Sequence, residues 1–309
     1  MSWETNEHIE WRGDERPALR RPVLVAGFQG WNDGGQAATA AVRWLARNLD
    51  GRRVAIVRPD DFHVFSEMAS RPIVRVRAGE RVIRWPAHDL FAVRGDESWP
   101  ADLLVLAARE PDLRWRTYCN AVLDVARSFE AQQVITLGTF LAAVPHTHPV
   151  PIIGYAWDDG MGEALRRVGT LESSYEGPTG ITSVLAYEAR QAGFHAASLW
   201  AAVPHYLPTT ANPKAALKLL RVVRDLTDIP LDLARLEDAA AYFESQVSEA
   251  VRARSEVADH VRELEEAQTE STEQSSGPDL PNAADVIRAF EEMLREGRQG
   301  GGQSGGGPE

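Results

Sequence analysis

The sequence predicts a three-layer α/β sandwich, one large sheet held between two layers of helices. Three observations predict it. Short apolar runs rich in β-branched residues recur along the first two thirds of the chain, and most lead into a stretch with apolar residues at helical spacing. That alternation belongs to βαβ units and a largely parallel sheet. One passage breaks the rhythm with alternating residues around a glycine, a β-hairpin insertion, and the C-terminal third turns purely helical.

Taken in order, residues 1–20 are charged and aperiodic and read as a flexible leader. The α/β core spans residues 21–232. Its first strand, residues 22–28, is apolar throughout, as a strand buried on both faces requires. A glycine-rich turn follows, then an Ala-rich helix with Ala38, Ala41, Val42, Leu45 and Leu49 on one side, then a strand over 53–57. Residues 73–77 and 81–85 alternate about Ala78-Gly79-Glu80 and make the hairpin. A second β-helix-β passage opens at 102–106. Its helix carries Tyr118, Val122, Val125 and Phe129, and its closing strand is 134–137. Cys119 falls inside that helix and reads as a small buried hydrophobe.

A further helix follows Gly177-Pro178-Thr179-Gly180, the last strand covers 196–203, and Asn212-Pro213 opens a helix with Asn as its cap. Residues 233–266 form a helical extension, either one long helix or a helical pair. Residues 267–281, rich in Glu, Ser, Thr and Gln, have the composition of a disordered linker. A short amphipathic helix at 282–296 and a flexible Gly-rich tail at 297–309 complete the chain.

Composition narrows the function classes. No run of about 18 apolar residues is present, so no membrane partner is expected. The opening Met-Ser-Trp-Glu-Thr-Asn-Glu-His lacks the profile of a secretory signal, and a cytoplasmic location is expected. Of 45 acidic and 33 basic side chains, residues 232–309 hold 18 and 7, which leaves a body of 27 and 26. A near-neutral body without a basic stripe argues against nucleic acid as a partner. The single cysteine excludes an internal disulfide and a multi-cysteine metal site. Only Lys214 and Lys218 among the 33 basic residues are lysine, which leaves little material for the phosphate contacts of an ATP-dependent enzyme.

Several loops carry polar motifs. The stretch from Gly27 to Gly35 reads G-x-x-G-x-x-x-G-G, which matches neither the dinucleotide fingerprint nor the P-loop. It is either a structural turn with Asp33 as cap or a binding loop at a helix start, with Trp31 facing a partner. Pro145-His146-Thr147-His148-Pro149 sets two histidines at metal-like spacing without a third ligand close by. It reads as a stiffened loop whose His146 bonds to backbone, and no metal or cofactor is assigned. Thr179 reads as a helix cap, and Pro204-His205-Tyr206 follows the last strand. Loops beyond strand C-termini line the ligand crevice of such sheets. The candidate binding residues are therefore Trp31, Asn32, Asp33, His146, Glu176, Thr179, His205 and Tyr206, with Trp31, His146, Glu176 and His205 meeting in one crevice. With no G-x-S-x-G elbow and no H-E-x-x-H, no catalytic residue is assigned.

These stretches in this order resemble the proteasome assembly chaperone 2 family, and its actinobacterial branch most of all. Phe28-Gln29-Gly30-Trp31-Asn32-Asp33-Gly34-Gly35-Gln36-Ala37-Ala38 looks like its opening motif. Leu137-Gly138 with Pro145-His146-Thr147, then Glu176-Gly177-Pro178-Thr179-Gly180-Ile181, then Val203-Pro204-His205-Tyr206 with Asn212-Pro213, look like its later blocks. The resemblance covers residues 20 to 265. It implies a three-layer sandwich akin to nucleoside phosphorylases, self-association as a homo-oligomer, and protein binding without catalysis, with proteasome subunits or other protein clients as partners. The alternative implied by other relatives is an ATP-grasp-like carboxylate–amine ligase. Relatives that dock on the proteasome end in a hydrophobic-Tyr-any tripeptide, whereas this sequence ends Gly-Gly-Pro-Glu, so contact is expected through the folded body.

Overall fold

The chain joins the sheet earlier than its charge pattern suggests. In the computed structural model, which describes residues 6–13, 15–173 and 175–274 (side chains of 269–274 excepted), Ile9–Trp11 forms strand β1. Residues 1–20, read from sequence as a leader, thus contribute an edge strand, with Ile9 buried against the core. Strand β2 (Val23–Gln29) leads through a single 3-10 turn into helix α1 (Ala37–Asn48) and then strand β3 (Arg52–Val57), which pairs antiparallel with β1. The hairpin is β4 (Ile73–Arg77) and β5 (Glu80–Arg84). Strands β6 (His88–Val93) and β7 (Leu103–Arg109), helix α2 (Trp115–Ser128) and strand β8 (Gln133–Ala142) follow. Next come β9 (Ile152–Ala156), α3 (Asp159–Arg167), α4 (Ile181–Gln191), β10 (His195–Pro204) and α5 (Pro213–Thr227). The helical extension is a pair, α6 (Ala234–Arg252) and α7 (Ser255–Gln274).

Eight strands make one mixed sheet in the order β1-β3-β6-β7-β2-β8-β10-β9. The parallel centre runs β7-β2-β8-β10, and antiparallel strands close both sides. The first β-helix-β passage does not close beside its own strand, because β6 and β7 intervene between β2 and β3. Six of the seven residues of β2 are buried, as its apolar run predicts. Each fully buried Leu or Val there contributes about 1.5–3 kcal/mol.

Helices cover both faces. One layer packs α1, α5 and the start of α6 on residues such as Val25, Val105 and Leu199. The other packs α2 and α4 on the opposite set, among them Leu24, Leu104 and Leu106. Gly27 explains the close seating of α1, since a Cβ there would lie 2.9 Å from the Ala38 carbonyl oxygen and from Val42. Asn212 caps α5 as expected, its side-chain oxygen accepting from Ala215 N at 2.9 Å with Pro213 in the first turn. Thr179 does not cap α4. Gly180 holds that position without a side-chain bond, and the carboxylate of Glu110 serves the helix start instead.

Two parts lie outside the sandwich. All ten residues of β4 and β5 are exposed, and their two-residue Ala78-Gly79 turn has positive φ at both positions, the twist-compatible hairpin geometry. Helix α7 runs to Gln274, past the expected boundary at 266. The remainder of the linker at 267–281, the helix at 282–296 and the tail at 297–309 lie outside the described residues. Among those described, no helix is long and apolar enough to cross a membrane, and no cluster of three metal-ligating side chains occurs.

Candidate functional site

Trp31, His146, Glu176 and His205 do not meet in one crevice. Seven of the eight candidate residues divide between two loop systems beyond the carboxyl ends of the central strands, and Glu176 lines neither.

The first is an aromatic pocket. Trp31 and Asn32 come from the β2–α1 loop, Phe140 from β8, Tyr155 from β9, Trp200 from β10 and Tyr175 from the loop before α4. Thr179 and Ser183 complete the wall around a space of about 90 Å3. Trp31 stands at the rim, 51% exposed, whereas Asn32 is 5% exposed. The Asn32 Oδ1 atom is buried without a hydrogen-bond partner. A buried acceptor left open costs about 1–3 kcal/mol, and this one lies beside Gly180 and the Glu110 carboxylate with no surface open to the pocket.

Glu110, at the end of β7, holds the mouth together. One carboxylate oxygen accepts from Trp31 N at 2.9 Å and the other from Ile181 N at 3.2 Å, tying the Trp31 loop to the start of α4. Two glycines permit this. A Cβ on Gly30 would lie 2.5 Å from Glu110 Oε2, and one on Gly180 would lie 1.7 Å from Asn32 Oδ1. Thr139 fixes the far side of the loop by donating its N–H to the Asn32 carbonyl at 2.9 Å.

Asp33, next in the loop, turns inward. Its Oδ1 accepts from Thr39 N at 3.0 Å and its other oxygen binds the Thr39 hydroxyl, so it serves the first turn of α1 from outside the helix. Burial raises its pKa to about 6, against the lowering effect of those Thr39 bonds. Between the two sequence readings of this loop, Asp33 is structural while Trp31 and Asn32 face the pocket.

The second system is built on histidine and is already satisfied. His146 does not bond to backbone through its ring. Its Nδ1 meets the Tyr206 hydroxyl at 2.8 Å and its Nε2 meets Ser248 Oγ of α6 at 3.0 Å. Lys214 donates to the His146 carbonyl at 2.6 Å and pairs with Glu244 of α6, so half of the lysine set is spent on this dock. Thr147 donates to Glu265 at 2.5 Å, His148 meets Gln268 at 2.8 Å and His205 meets His260 at 3.2 Å, all three partners lying on α7. Burial, and then Lys214, push the His146 pKa down, and burial raises that of Tyr206 to about 12. The paired histidines that suggested a metal therefore clamp α6 and α7 onto the body.

A third polar cluster escaped sequence reading. Asp112, His63, His88 and Tyr118 form a chain with contacts of 3.2, 2.6 and 2.9 Å inside the α2 layer. His88 is fully buried, and burial holds its pKa well below the ordinary histidine value. Cys119, beside Tyr118, is buried with its thiol pushed up to about 12, as expected for an inert core cysteine. Of the pocket, the sequence had singled out Trp31, Asn32 and Thr179. It missed Glu110, Phe140, Tyr155, Tyr175 and Trp200. The one signal for Glu110 was an acidic residue directly after an apolar strand and before Pro111.

Known proteins show the same architecture. A PAC2 family protein of Streptomyces avermitilis is 40% identical with a TM-score of 0.71, covering 78% of this chain and 99% of its own. A Mycobacterium tuberculosis protein described as a proteasome-assembly chaperone homologue is 36% identical with a TM-score of 0.69, covering 77% of this chain and 99% of its own. The archaeal proteasome activator PbaB of Pyrococcus furiosus, 16% identical with a TM-score of 0.62 over 79% of this chain and 99% of its own, shares the fold. No curated protein matches. The PAC2 family pattern matches residues 27–251, from the glycine of the Trp31 loop to the end of α6. The chain belongs to the PAC2 family.

Proposed function

We propose that this protein is a cytoplasmic, homo-oligomeric chaperone of the proteasome-assembly type, which binds a partner polypeptide and anchors one of its side chains in the Trp31 pocket. The observation that carries this reading is the set of aromatic walls behind the exposed Trp31 rim. Size decides what the pocket takes. Small-molecule and cofactor sites span about 300–1,000 Å3, and an apolar cavity of ~150 Å3 holds a benzene ring. A space of about 90 Å3 suits one apolar side chain entered from outside, not a nucleotide. Such a side chain between aromatic rings is the usual form of an interface anchor. The M. tuberculosis relative's description supports proteasome subunits as the partner class.

The test is capture of proteasome α-subunits by purified protein, wild type against Trp31→Ala. The expected result is binding by wild type and a loss of about 2 kcal/mol or more in the variant, at unchanged melting temperature. Capture indifferent to Trp31→Ala removes the pocket from the reading, and no capture by either form removes the proteasome.

A further inference from the structure

Net charge conceals a basic groove. Beneath the hairpin lies an open space of about 850 Å3, lined by six arginines: Arg43 and Arg47 of α1, Arg71, Arg75 and Arg84 in and beside the hairpin, and Arg109 at the end of β7. The expectation of a body without a basic stripe fails here because the fold gathers these side chains from four separate stretches of sequence.

Little in the groove neutralises them. The lining holds two carboxylates, Asp50 and Asp89, and Asp89 is paired with Arg53 at 3.2 Å. Arg43 and Arg109 are half-buried, and neither makes an ion pair among the described residues. Among the described residues the Arg43 guanidinium makes one hydrogen bond, a 3.4 Å contact with Gln29. Burial, then Arg47 and Arg84, push Arg43 below its ordinary value, and burial does the same to Arg109. A guanidinium stays charged in such surroundings. The fold thus maintains crowded, partly desolvated positive charge in a concavity, an arrangement that an anion relieves.

We infer that this groove binds an acidic polypeptide segment in extended form. Charge complementarity names the acid, and the other lining groups name the polypeptide. Met68, Ile73 and Trp85 are 83%, 43% and 49% exposed around the arginines, offering apolar contacts that a chain of carboxylates and apolar side chains matches. Among the described residues strands β4 and β5 pair only with each other, so each presents an open edge to which an extended segment can add. A nucleic acid fits less well, because Asp50 and Asp89 interrupt the arginines and would face its phosphates.

The test uses the full chain and a fluorescein-labelled octapeptide of alternating Glu and Leu, followed by anisotropy at low and at physiological ionic strength. Saturable binding that weakens steeply with salt is expected. Arg43→Gln with Arg109→Gln, and separately the exposed pair Arg75→Gln with Arg84→Gln, are each expected to weaken it at least about tenfold. The exposed pair keeps the experiment readable should the half-buried pair disturb folding. Trp31→Ala is expected to bind the peptide as wild type does, which separates this groove from the pocket. The inference is overturned by absence of binding to wild type or by indifference to both Arg pairs. Loss of binding on Trp31→Ala, or an oligothymidylate that binds more tightly than the peptide, overturns it too.

Discussion

The Trp31 pocket and the His146 cluster sit beyond neighbouring strand ends and both draw on residues with chemical potential, yet they are in opposite states. Around His146 the ring nitrogens, the Tyr206 hydroxyl, Lys214 and Glu244 are all engaged, with Ser248 and Glu244 supplied by α6. Around Trp31 the walls are aromatic and the rim is exposed. The difference teaches how to separate structure from function in this fold. Saturated polar groups hold elements together, and aromatic walls behind an exposed rim are kept for something that arrives.

The sharpest way to break the comparison is His146→Ala. It removes two side-chain bonds while the Tyr206 hydroxyl keeps its 2.8 Å bond from the backbone N–H of residue 146, so a loss of about 1–3 kcal/mol in denaturant unfolding is expected. Faster proteolytic cutting of α6 and α7 should accompany it, while partner capture through Trp31 should survive in the folded fraction. Lost capture with intact helices would show that the cluster, not the pocket, meets the partner.

Asn32→Leu sharpens the other side. An apolar residue of similar volume removes the unpaired acceptor, and a stability gain of about 1 kcal/mol is expected. A loss of stability instead would mean that Asn32 is a structural element like His146.

Acid should act on the dock and not on the pocket. Burial and Lys214 lower the pKa of His146, with Glu244 and Glu265 working in the other direction. The released state then binds the proton more readily than the docked one. Docking is therefore complete above the ordinary histidine value of about 6.5 and weakens as pH falls below it. His63 and His88, also lowered chiefly by burial, add a loss of the same sign in the body. Asp33, raised to about 6, runs the opposite way and favours the folded state as it takes up its proton. Melting curves across this range should show a net loss on acidification that Asp33→Asn makes steeper. A stability that rises steadily on acidification would contradict the assignment.

Much of the sheet could be read in the chain because its signals are local. The apolar runs of β2, β7, β8 and β10 and the helical spacing of α1, α2, α4 and α5 declare themselves within a few residues. The elements that escaped have local reasons to be faint. Strand β6 begins His88-Asp89, with a histidine at a fully buried position. Strand β9 is five residues with a glycine at its centre, and α3 carries two glycines within nine. Strand β1 is three residues in a charged stretch, held by pairing with β3 that only the folded chain supplies.

The alternation of strands and helices, the hairpin, the Asn212 cap with Pro213 in the first turn, and the family motifs are written locally, since each depends on neighbours within a few residues. Only the tertiary structure decided which motif residues are partners. Long-range packing brings Glu110 to Trp31 and Ile181, Ser248 to His146, and Arg109 to Arg43 and Arg84. A side chain's environment is set by what folds against it, and that is why one crevice read along the chain became a clamp and a pocket in space, with a charged groove that no local pattern announced.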